Sequence, residues 1–219
     1  MKKETLKQKA YNFILEKIIN CDYSPNTMLN EEQLKKETGM SRTPIRDALS
    51  RLEQDGLVSI KSKKGILVKP LSFSEINHLF ETRILIEPFA LQEYGYTLDG
   101  QKVLGFYRKA LNLTGKETQA ENYALDDEFH SMIVNNIPNP FLKQCYAITS
   151  AQIKRSRVFT GSYKQGRPAE SNHEHILILE ECLKNNWEAA AEAMRKHLIT
   201  SKNITLSILL ENDVISLEK

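Results

Sequence analysis

Gly39-Met40-Ser41-Arg42-Thr43-Pro44-Ile45-Arg46-Asp47-Ala48-Leu49-Ser50-Arg51-Leu52 holds the end of one helix, a tight connection and the start of another. Gly39 supplies the left-handed residue that closes the first helix. Ser41 or Thr43 can cap the second, and Pro44 is harmless in a first turn because those amides lack helical acceptors. Ile45, Ala48, Leu49 and Leu52 then recur at i, i+3, i+4 and i+7, a stripe that must pack inward. Upstream, Tyr11, Ile14, Leu15, Ile18 and Ile19 form one face of an earlier helix, closed by the turn Tyr23-Ser24-Pro25-Asn26. Asn30 can cap the short helix between them, with Gln33 completing a box-like start. Two short helices joined in this way predict a helix-turn-helix.

The face left outside is polar. Thr43, Arg46, Asp47 and Ser50 project from the third helix, and an arginine near a helix N-terminus suits the major groove, where it can pair with guanine O6 and N7. Arg42 and Arg51 flank that face as candidate phosphate contacts. Downstream, Gly56 ends the helix, and Leu57–Ile60 and Ile66–Val68 read as two strands of a hairpin tipped by Lys61-Ser62-Lys63-Lys64-Gly65. A basic tip with a glycine can approach phosphates closely, so the hairpin is read as a wing.

Charge follows the same division. Residues 1–70 hold 14 Lys and Arg against 9 Asp and Glu, whereas the remainder holds 16 against 19, so the overall +2 conceals a basic end and an acidic end. No apolar run approaches the roughly 20 residues that cross a bilayer, and the start Met1-Lys2-Lys3-Glu4 lacks a signal-peptide core, which places the chain in the cytoplasm without a membrane partner. Cys21, Cys145 and Cys182 are an odd, widely spaced set and are expected to be buried free thiols.

From Ser72 onward the pattern is helical: to about Tyr96, then roughly 101–115, 120–135, 140–159, 168–184 and 187–211. No alternating strand pattern appears, so an all-α bundle is expected. The fold class is therefore mainly α, with a winged helix-turn-helix (three helices and a small hairpin) at 1–70 and a helical bundle at 71–219. Asp126 and His130 are four residues apart beside the apolar row Leu125, Phe129 and Met132, so carboxylate and imidazole face the interior together. If Asn185-Asn186 turns an antiparallel helix pair, His175 and His197 are equidistant from it and face each other. A lone histidine in a core is ordinarily just hydrogen-bonded, but three histidines and an aspartate converging on one bundle point to a divalent metal. Zinc, nickel, manganese, cobalt or iron would suit one oxygen and three nitrogen ligands. His173 falls on another side of its helix and is expected in solvent; His78 has no partner at useful spacing.

Tyr11-x-x-Ile14, Tyr23-x-Pro25, Leu29-Asn30-Glu31, Leu34, Gly39 to Leu49, Arg51-Leu52-Glu53, Asp55-Gly56-Leu57-Val58 and Gly65 together resemble the DNA-binding domain of the GntR family of bacterial regulators. The resemblance implies a homodimer on an inverted-repeat operator, probed by Arg42, Thr43, Arg46 and the Lys64-Gly65 wing tip. Asn26 and Lys35 depart from the family's usual glycine and alanine, and asparagine tolerates the left-handed conformation. Further on, Arg83-x-x-Ile86-Glu87, Asp126-x-x-Phe129-His130, Asn139-Pro140, Glu174-His175 and His197 resemble the FadR-type (FCD) effector domain. There the residues matching Asp126, His130, His175 and His197 bind a divalent metal, with zinc, nickel or manganese favoured, and small carboxylates are frequent effectors. Arg83, Arg155 and Arg157 are candidate effector contacts, of which only Arg83 rests on a motif match. The expectation is a transcription regulator, a repressor and not an enzyme. Two rivals stay open: a metalloenzyme with Glu174 as base, and a purely structural metal.

Overall fold

The structure, a computed structural model, describes residues 4–62, 64–161 and 167–211. It divides into two compact units, one built on residues up to Ser72, with the stretch Arg155–Phe159 grouped with it, and the other from Phe73 onward.

The first unit begins with α1 (Leu6–Ile19), capped by Thr5, whose side chain accepts from the Gln8 amide. The buried stripe is Ala10, Ile14 and Ile18, while Tyr11, Leu15 and Ile19 are only partly covered. The expected face is thus rotated slightly, toward Ala10. Strand β1 (Met28–Leu29) precedes α2 (Glu31–Thr38), capped by the Asn30 side chain on the Gln33 amide. The reciprocal half of the expected box does not form: the Gln33 amide group donates to Glu37 at 2.9 Å. Gly39 closes α2 at φ 66°, and Asn26 takes the left-handed region at φ 67°. In α3 (Arg42–Gln54) the stripe Ile45, Ala48, Leu49 and Leu52 is buried as expected; Ser41 stands at the cap position without a side-chain capping bond.

Strands β2 (Val58–Lys61) and β3 (Gly65–Val68) form the expected antiparallel hairpin, but β1 adds to β3, giving a three-stranded sheet of order β1-β3-β2. Lys63, counted among the wing lysines, lies outside the described residues. Gly65 has a structural reason to be glycine. At φ 112°, a Cβ would stand 2.8 Å from the Leu29 carbonyl oxygen, so the β1 backbone forbids a side chain before any phosphate is considered.

The second unit is helical among the described residues: α4 (Phe73–Tyr94), a 3-10 turn (Gly95–Thr97), α5 (Gly100–Leu111), α6 (Gln119–Val134), α7 (Pro140–Gly161), α8 (Arg167–Leu183) and α9 (Trp187–Glu211). The α4 helix runs along α9, α8 packs on α9, and α5 on α8. Ile86, Leu91, Phe106, Phe129, Ile133, Leu179, Met194 and Leu198 are among the side chains of its core. The helix expected to reach 115 stops at Leu111 because Glu117 takes the amides of Thr114 and Gly115 at 2.8 and 2.9 Å, with Gly115 left-handed at φ 75°. Thr118 and Glu121 form a complete capping box for α6. The cysteines are free, but only Cys182 is buried: Cys21 is half-buried, and Cys145 is exposed on an outward face of α7.

Candidate metal centre and nucleic-acid interface

Four helices meet at the histidines. Neutral imidazole is a ligand through whichever ring nitrogen lacks a proton, so what grips the opposite nitrogen decides the geometry. His130 on α6 places Nδ1 2.6 Å from Glu87 Oε2 on α4. His197 on α9 places Nδ1 2.6 Å from Glu174 Oε2 on α8. Burial works against the charge on Glu87, but Arg83 and His130 outweigh it, and its pKa is lowered to about 2. For Glu174 burial is likewise overcome, chiefly by hydrogen bonds from Arg167 and His197, again to about 2. Both carboxylates therefore accept from Nδ1, which turns each Nε2, where a neutral ring carries its lone pair, toward the interior.

Those lone pairs converge. One nitrogen from each of His130, His175 and His197 lies within 4.8 Å of the others, and all three rings are buried. The His175 and His197 Nε2 atoms are 3.3 Å apart. Two ligands about 2.1 Å from one metal stand about 3.0 Å apart at a right angle and about 3.4 Å apart at a tetrahedral angle, so this spacing fits a shared ion. His130 Nε2 is buried without a hydrogen-bond partner, a costly state that a metal would relieve. Asp126 stands a little farther out, with Oδ1 3.7 Å from His175 Nε2 and Oδ2 3.8 Å from His130 Nε2. Burial, then neighbouring positive charge, pushes the His175 pKa well below the usual imidazole value, and burial also lowers that of His197. Neutral rings are what coordination needs, so the residues present fit the group. Phe129 stacks under His175 with centroids 4.0 Å apart, fixing the ring from its apolar side.

Of the three arginines expected near an effector, Arg83 joins this hydrogen-bond network. It is buried and donates from Nε to Glu87 Oε1 at 2.5 Å, while Tyr146 donates its hydroxyl to the same oxygen at 3.1 Å. Arg155 is buried and Arg157 partly buried on α7. His173 and His78 are exposed. The roles of Glu87, Glu174 and Arg167 escaped the sequence reading. Glu174, the candidate base beside a metal, is gripped by Arg167 at both oxygens at 2.8 Å, and one of them also holds His197. It holds the His197 ring in place. The contacts from Glu87 to His130 and from Glu174 to His197 span 43 and 23 residues, so periodicity alone could not pair them.

In the first unit Arg42, Thr43, Arg46, Asp47 and Ser50 are exposed together along α3, and Lys64 is exposed at the end of the hairpin. Arg46 donates from Nε to Glu31 Oε1 at 2.7 Å, and Arg42 from Nη2 to Glu32 Oε1 at 2.6 Å. Arg51 differs. Its guanidinium lies 3.9 Å from the Tyr11 ring centroid and donates to Gln8 at 3.0 Å, so it fastens α3 to α1.

Comparison with known proteins bears on both units. Residues 6–68 match the profile of the gntR family of bacterial regulatory proteins, and residues 78–200 match the FCD domain. The HTH-type transcriptional regulator YdhC of Bacillus subtilis (strain 168) is 30% identical over 194 residues, covering 85% of this chain and 85% of YdhC. The HTH-type transcriptional repressor RspR of Escherichia coli (strain K12) is 23% identical over 216 residues, covering 95% of this chain and 92% of RspR. Among solved structures, E. coli McbR/YncC shares the fold with a TM-score of 0.80 at 15% identity, over 94% of this chain and 99% of that one.

Proposed function

The chain belongs to the GntR family of bacterial regulatory proteins and carries an FCD domain, and on that premise we propose that it is a metal-dependent repressor whose DNA binding responds to a small carboxylate. That it is a transcription regulator and not an enzyme follows from the family. The finer reading is as follows. Two copies bind an inverted-repeat operator in the cytoplasm through Arg42, Thr43, Arg46 and the Lys64-Gly65 wing tip. Arg51, held by Tyr11 and Gln8, would reach a phosphate only by leaving them. Asp126, His130, His175 and His197 hold one divalent ion, with zinc, nickel and manganese the leading candidates.

The observation that carries this reading is the convergence of nitrogens from three buried imidazoles, two of which, His130 and His197, have their far side fixed by a carboxylate. A metal held by these residues would supply a Lewis acid for a carboxylate oxygen. Arg83, joined to His130 through Glu87, is a candidate cation for the remaining charge of such an acid, with Arg155 and Arg157 as further candidates. Repression is supported by the name of RspR, a relative that is a transcriptional repressor. Effector binding would act by changing the distance or angle between two recognition helices, which must enter major grooves about 34 Å apart.

Metal content tests the centre directly. The purified protein is expected to carry about one divalent ion per chain by elemental analysis. His130→Ala combined with His175→Ala should remove it, and a variant that keeps stoichiometric metal would overturn the assignment. If chelation merely unfolds the bundle, and no dicarboxylate tested alters operator binding by the metal-loaded protein, the ion is structural.

A further inference from the structure

Two carboxylates of the first turn of α2 reach across the helix-turn-helix to the exposed arginines of α3. Glu31 takes Arg46, and Glu32 takes Arg42 while also pairing with Lys35 Nζ at 3.0 Å. Exposed pairs of this sort add little to stability, because water and salt screen them, so stability gives little reason for them. On a surface that meets phosphates, a carboxylate is also repulsive. Glu32 is offset by two cations, but Glu31 is paired with Arg46 alone among the ion pairs of the described residues, with the Arg46 side chain 63% exposed and that of Glu31 28%.

Which nitrogen is taken matters more than the energy. A guanidinium presents its five N–H groups in a planar fork, and a guanine is read by two neighbouring donors on O6 and N7. Arg46 Nε is committed to Glu31 Oε1 at 2.7 Å, which uses one edge of the fork and leaves the Nη1–Nη2 end outward. An unrestrained arginine samples many rotamers, and part of that side-chain entropy is lost on docking. Restraint in the free protein reduces that loss for the contact that matches, and the nearby negative charge disfavours sites where Arg46 finds only phosphate.

We propose that Glu31 is a positioning residue for base recognition: holding Arg46 Nε, it presents the Nη1–Nη2 end of that arginine to a base edge in the major groove. The inference rests on Arg46 reading a base, and its test separates the two claims. A duplex selected by the full-length protein from a random pool is compared with a scrambled duplex of the same length and composition, at one salt concentration. Glu31→Ala should weaken binding to the selected duplex about tenfold while leaving the scrambled duplex unchanged or bound more tightly. Glu31→Gln, which keeps an oxygen acceptor, should lose less. In an Arg46→Ala background, Glu31→Ala should no longer change the ratio between the two duplexes. A change by one common factor would reduce Glu31 to a point charge, and tighter binding of the selected duplex would make the pair a latch that Arg46 must leave; either overturns the proposal. If Arg46→Ala itself weakens both duplexes equally, base reading by Arg46 fails first and the proposal falls with it.

Discussion

Glu87 is wholly buried between Arg83, His130 and Tyr146, and its value lies in the proton it fixes on His130 Nδ1. A carboxylate buried without such partners would protonate; here Arg83 keeps it ionised, so it can only accept. Replacing it with glutamine preserves shape but lets the amide donate as well, which loosens the tautomer of His130 and makes Nε2 a poorer ligand. Glu87→Gln is therefore expected to weaken metal binding about 10- to 100-fold, measured by competition with a chelator of known affinity, while all four proposed ligands stay in place. Unchanged affinity would show that Glu87 serves only to neutralise Arg83. At this scale the sequence was half legible. Spacing along single helices brought Asp126 to His130, and symmetry about Asn185-Asn186 brought His175 to His197, because both follow from helix geometry. The carboxylates behind the rings sit on other helices, and their distances are set by packing that no local pattern encodes.

Elements were readable where a local signal was strong. Asn30, Gly39, Asn26 and the α3 stripe each occupy the conformation their chemistry favours, and α6, α8 and α9 fall within a residue of their expected starts. The exceptions share a cause. Strand β1 has two residues and exists only through its pairing with β3, so it has no pattern to read. Likewise, α5 ends at Leu111 because a glutamate six residues beyond captures two amides of the following turn. Gly65 is the clearest case of a residue whose reason is tertiary. Gly65→Ala would drive a Cβ toward the Leu29 carbonyl, whereas Gly39→Ala would meet nothing within 4 Å and bear only the left-handed backbone cost, about 1–2 kcal/mol. Thermal unfolding should rank Gly65→Ala as the more damaging, with the melting point of Gly39→Ala between it and the parent. The reverse order would mean that β1 moves aside freely and that Gly65 is kept for the close approach of DNA instead.

A regulator of this build is useful only if its two units exchange free energy, and linkage makes that demand measurable from either end. A ligand that weakens operator binding by some factor must itself bind more weakly to the operator-bound protein by the same factor, whatever path carries the coupling. For a coupling of about 1–3 kcal/mol the factor is about 5- to 150-fold. The metal-loaded protein, titrated with a small dicarboxylate in the presence and absence of saturating operator, should give a ratio of acid affinities equal to the ratio of operator affinities measured with and without acid. His130→Ala should abolish both ratios together, because the acid loses the metal that holds it, while leaving the α3 arginines and their grip on DNA intact. Unequal ratios would mean that a third event, such as a change in the number of chains bound, intervenes. Ratios of one in the presence of tightly held metal would assign the histidine centre to stability alone, because a ligand that binds both states equally shifts neither.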